Sequence, residues 1–110
     1  MSAVTGNVKF GINYPVYVTT TPYNLPAYDF NYVISNVSSA SVINLPPVSS
    51  VPNGWTVLIK NNNNTSGNNI TVNANGTDTF NPTGTQTIAI QTYTRYLANH
   101  SSTGNSWTVI

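Results

Sequence analysis

The sequence predicts an all-β fold: an antiparallel β-sandwich or small barrel of eight or nine short strands. Three observations predict it. Period-two or β-branched runs recur along the whole chain, clusters of Asn, Gly and Pro separate them, and helix signals are weak. No window carries apolar residues at i, i+3, i+4 and i+7 with good helix formers between them, and Glu is absent altogether.

Taken in order, the runs are VKFGI (8–12), YPVYVTT (14–20), FNYVIS (30–35), ASVINL (40–45) and WTVLIK (55–60). NITVNA (69–74), QTIAIQT (86–92), TRYLAN (94–99) and SWTVI (106–110) complete the set. Each is rich in residues that suit a pleated, half-buried surface. Turn residues punctuate them: Pro22, Pro26, Pro46-Pro47, Pro52-Asn53-Gly54, Asn75-Gly76, Asn81-Pro82 and Gly104-Asn105. The last two runs read as a hairpin across HSSTGN, and the Asn-rich stretch NNNNTSGNN reads as a long, outward-facing hairpin loop between 55–60 and 69–74. Residues 1–19 form an extended arm or an edge strand, and residues 20–110 the β-module.

With 110 residues the chain makes one domain with one modest core. Charged residues are 5% of the chain, so surface polarity comes from Asn, Ser and Thr. Aromatics at 11% and abundant β-branched residues argue for a folded chain. A net charge of +1, with Lys9, Lys60 and Arg95 scattered, speaks against nucleic acid as a partner. So little charge does little to keep strand edges apart, which favours self-association. No cysteine is present, no apolar run is long enough to span a membrane, and the N-terminus lacks the pattern of a cleaved secretion signal.

Chemistry-bearing residues are sparse. The carboxylates are Asp29 and Asp78 and the one imidazole is His100, none of them in a catalytic motif. The spacing in NANGTD suits an Asn-Gly turn better than a calcium loop, and no phosphate-binding glycine loop exists. Six Asn-x-Ser/Thr sequons, at Asn36, Asn63, Asn64, Asn69, Asn75 and Asn99, are what such a composition generates without selection. The reading is of a protein that is not an enzyme and holds neither metal nor cofactor. Trp55 and Trp107 are natural core or interface anchors, while Tyr93 and Tyr96 are candidates for a surface that binds sugars or a receptor.

The order of motifs resembles a β-rich module of fibre, tailspike and other surface proteins of phages and large DNA viruses. The residues that carry the resemblance are Asp29; Ile43, Leu45 and Pro46 (I-x-L-P); Gly54, Ile59, Lys60 and Asn61 (G-x-x-x-x-I-K-N); Gly67, Asn68, Ile70 and Val72 (G-N-x-I-T-V); Asp78 and Thr79; and Trp107. The resemblance implies a non-enzymatic virion component, commonly a homotrimer, made in the host cytoplasm and placed on the virion surface. In so short a chain without a shaft, it implies a capsid-attached decoration, cement or short head-fibre subunit. Ile43, Leu45, Trp55, Ile59, Ile70, Val72 and Trp107 would then build the core and trimer contacts. Phe10, Tyr14 and Tyr17 would anchor the arm to the major capsid protein or another virion protein. The alternative is a carbohydrate- or receptor-binding adhesion module that takes a host surface glycan.

Overall fold

The computed structural model describes residues 15–27 and 32–110. In chain order its strands are β1 (Val16–Val18), β2 (Tyr23–Asn24), β3 (Tyr32–Ser35), β4 (Ser41–Asn44) and β5 (Thr56–Asn61). They continue as β6 (Ile70–Asn73), β7 (Thr79–Asn81), β8 (Gln86–Ile88), β9 (Tyr93–Asn99) and β10 (Ser106–Val109). A 3₁₀ turn at Val48–Ser50 is the one helical element among the described residues. The fold is all-β, with ten strands among the described residues. The two strands beyond the expected runs are β2 and β7, of two and three residues, beside Pro22 and Pro82. The expected strand at 8–12 lies outside the described residues.

The strands form a six-stranded sheet of order β1-β3-β5-β9-β10-β7 and a four-stranded sheet of order β2-β4-β6-β8. From β1 to β6 successive strands alternate between the two sheets. Within each sheet the stacked strands run parallel and in register, with Val16, Val33 and Ile59 aligned in one and Tyr23, Ile43 and Val72 in the other. The chain therefore winds as three turns of a flattened solenoid, each contributing one strand to each sheet. The winding ends where β8 pairs antiparallel with β6, and β9 with β5. The expected antiparallel sandwich is thus corrected to two mixed sheets. The hairpin across HSSTGN does form, joining β9 to β10 with Asn99 opposite Ser106.

Alternation places one side of every strand inward, as in β5, where Val57, Ile59 and Asn61 are buried and Thr56, Leu58 and Lys60 face out. Buried residues from both sheets make one core, in which Ile43, Leu45, Ile59, Ile70, Val72 and Trp107 are enclosed. These six expected core residues are covered within a single chain. Trp55 is only partly buried and packs edge-on against Trp107, with ring centroids 6.0 Å apart. Gly54 holds a φ of +87° in the Pro52–Trp55 turn that leads into β5, closed by a 3.0 Å bond from the Trp55 N–H to the Pro52 carbonyl.

The asparagine run is not a hairpin loop, because β5 and β6 belong to different sheets. It is an arch between them, and its side chains alternate. Asn61 and Asn63 are 1% and 7% exposed, whereas Asn62 and Asn64 face solvent. The Asn61 amide donates to the carbonyls of Asn68 and Ile88, both at 3.0 Å, and its Oδ1 accepts from the Asn63 N–H at 3.1 Å. The Asn63 amide donates to Val37 O at 2.8 Å and Asn36 Oδ1 at 3.0 Å, and its Oδ1 accepts from the Thr65 N–H at 2.8 Å. A chain leaving a sheet forfeits ladder partners for its backbone groups, and an amide side chain supplies both a donor and an acceptor to replace them. On the four-stranded sheet, Asn73 donates to Asn44 at 3.1 Å and Asn44 to Asn24 at 2.8 Å, a ladder that ties the three turns together.

Candidate binding face

The outer side of the six-stranded sheet gathers aromatic, aliphatic and basic side chains. Register sets its rows. In one row Tyr17 (β1) neighbours Ile34 (β3), which neighbours Lys60 (β5), which neighbours Tyr93 (β9). In the next, Tyr32 neighbours Leu58 and Leu58 neighbours Arg95. Ile110 continues that row, its N–H donating to the Arg95 carbonyl at 2.9 Å. The three large hydrophobic residues most open to solvent among the described residues, Tyr17 (69%), Tyr93 (64%) and Ile110 (60%), all stand on this face. Scattered exposed apolar residues need no explanation, but their gathering on one face makes it the candidate binding face.

Sequence reasoning assigned Tyr17 to an arm and Tyr93 to a separate binding surface. The fold brings them together at opposite ends of one row. Phe10 and Tyr14 lie outside the described residues. Tyr96 is a correction: three positions from Tyr93 along one strand, it points to the opposite side and is fully buried. Its ring packs 5.8 Å from that of Phe80, and burial pushes its phenol up to about 12 despite an opposing hydrogen bond from Thr94. Its hydroxyl reaches toward Gln86 of the facing sheet at 3.5 Å.

Lys60 and Arg95 were read as scattered, yet the β5–β9 register sets them diagonally on the same face. The Lys60 ammonium reaches the Gln91 carbonyl at 3.3 Å, while Arg95 is exposed. Asp78, the one side-chain carboxylate among the described residues, is engaged elsewhere, accepting from the Val48 N–H at 2.8 Å. His100 Nε2 lies 2.8 Å from the Val48 carbonyl and therefore donates to it. Both groups thus hold the backbone of one residue in the 3₁₀ turn. Asp29 lies outside the described residues.

A second concavity, about 600 Å³, runs along the asparagine ladder and is lined by Asn24, Leu25, Asn44, Pro46 and Ala74 among others. The ladder amides that line it, Asn24 and Asn44, already bond one another. Comparison with known proteins finds no matching family model, no matching curated relative and no matching solved structure.

Proposed function

We propose that this chain is a non-enzymatic structural protein of a virion surface: a capsid-attached decoration or cement protein, or a short head-fibre subunit. It acts as a homotrimer seated on the major capsid protein or another virion protein. The observation that carries the reading is a laddered, cross-bonded block, its three turns tied by Asn24, Asn44 and Asn73. A block of that kind suits display and cementing, where shape must persist under load. The engagement of Asp78 and His100 with the Val48 backbone fits a structural use for them. A near-neutral surface rich in amides and hydroxyls also suits subunit contacts, since few charges need be desolvated.

Two measurements test it. Light scattering should give a mass of about 35 kDa, three times the 11.8 kDa of one chain. Antibody raised to the purified protein should label virus particles released by cells that make it. Particles free of the protein would overturn the virion assignment, and a monomer at tens of micromolar would overturn built-in trimerisation. The second reading, a carbohydrate- or receptor-binding adhesion module, is favoured by the exposure of Tyr93 and Tyr17 on one face.

A further inference from the structure

We infer that the outer face of the six-stranded sheet is a binding site for an acidic polysaccharide, a chain of carboxylated or sulfated sugars lying across the strands. The inference rests on the second reading above and specifies its ligand class. Tyr17 and Tyr93 sit three strand spacings apart, roughly 14 Å, within reach of one short oligosaccharide. Each ring presents an apolar face on which the C–H side of a pyranose can lie while the sugar hydroxyls stay in water.

Between and beside these platforms stand Lys60 and Arg95, two of the three basic residues in the chain. Both present cationic heads on a face that carries no described side-chain carboxylate. An anionic ligand complements that arrangement and a neutral one does not use it. The placement also argues against a second copy of the chain. Face-to-face pairing would bring two Lys60 and two Arg95 side chains together and strip their water, with no side-chain carboxylate of the described residues on that face to offset them. A protein partner would likewise have to desolvate the Lys60 ammonium within the patch, a side chain that protein interfaces usually lack. A linear acidic glycan leaves these heads partly hydrated and still meets both rings.

The test is a titration of the isotopically labelled protein, followed by backbone amide NMR shifts. The probes are a short heparin fragment, an oligogalacturonate, a neutral malto-oligosaccharide, an oligothymidylate and a poly-glutamate peptide. At least one acidic glycan should shift amides of β1, β5 and β9 at about millimolar concentration or below. Tyr93→Ala and Arg95→Gln should each weaken that binding about tenfold. Thr87→Ala, on the exposed side of the four-stranded sheet, should leave it unchanged. The shift map of the unsubstituted protein stands even where a variant folds poorly.

No response to either acidic glycan overturns the inference, as does a response mapped to other strands. Equal binding of the neutral sugar overturns the acidic class, and equal or tighter binding of oligothymidylate or poly-glutamate overturns the glycan. Virion labelling is an independent readout. Labelled particles without glycan binding defeat this site alone, and glycan binding without labelled particles defeats the virion assignment alone.

Discussion

Replacing Asn61 with alanine should cost about 3 kcal/mol of folding stability, although the residue sits in what looks like a polar loop. Asn61 is 1% exposed and its side chain makes three hydrogen bonds, two donated to the Asn68 and Ile88 carbonyls and one accepted from the Asn63 N–H. A typical intramolecular hydrogen bond contributes about 1 kcal/mol net, and partners left buried and unpaired add to the loss. Three such bonds, in a domain stable by on the order of 5–15 kcal/mol, are a large share of the total. The corresponding fall in Tm is roughly 15 °C. Urea unfolding followed by tryptophan fluorescence measures this, with an unchanged m-value confirming that stability alone has moved. Asn62→Ala is the control: its side chain faces solvent, and it should change stability by no more than about 0.5 kcal/mol. Equal, small effects at the two positions would refute the idea that alternate asparagines of the run are structural pins.

Other consequences follow from single groups. Tyr96 has a phenol raised to about 12, above the ordinary value near 10, so the stability it contributes is complete below pH 10 and lost as pH rises toward 12. Alkaline unfolding should therefore steepen in that window, and Tyr96→Phe should remove the steepening; an identical profile in the variant sinks the assignment. Ser35 Oγ is buried in the β3 ladder without a protein partner, so Ser35→Ala should be neutral or stabilising by about 1 kcal/mol, and a loss above that would reveal a bond the geometry does not contain. Asp78→Ala should cost about 2 kcal/mol at pH 7 by freeing the Val48 N–H, read from the urea midpoint, with a value near zero refuting a stabilising role for that bond. Trp107→Ala should cost about 4 kcal/mol or prevent folding, because that side chain is fully enclosed and touches Trp55.

The strand content was legible because alternation in runs such as Thr56–Asn61 follows from burying one side of a pleated ribbon. Pairing direction was not, since period-two alternation looks the same in parallel and antiparallel half-buried strands. A direct signal of the winding nevertheless lies in the chain. Tyr23-Asn24-Leu25-Pro26 and Ile43-Asn44-Leu45-Pro46 share an x-N-L-P pattern, and Val72-Asn73-Ala74-Asn75 repeats it in degenerate form. Register stacks all three, Asn on Asn. Unequal turns conceal the repeat: the arch after β5 holds the asparagine run, so the third unit arrives late. The binding face was half legible. Tyrosines and isolated cations can be counted in a sequence, but only the fold shows that Tyr96 is buried and that Tyr17, Tyr93, Lys60 and Arg95 share one side of one sheet.

Stacking also explains why so much asparagine accompanies so little charge. In a parallel in-register stack, a position on one turn lies about 4.8 Å from its counterpart on the next, so a repeated residue meets itself. For a repeated lysine or glutamate that meeting costs about 1 kcal/mol in water and roughly 3 kcal/mol near a protein surface. For asparagine it is favourable, because one amide N–H donates to the next amide oxygen, as Asn73, Asn44 and Asn24 do. A winding chain can therefore keep its exposed positions polar without self-repulsion by filling them with Asn, Ser and Thr, and 5% charge is the composition that results. Against such a background Lys60 and Arg95, set diagonally on one face, are the departure from that pattern among the described residues.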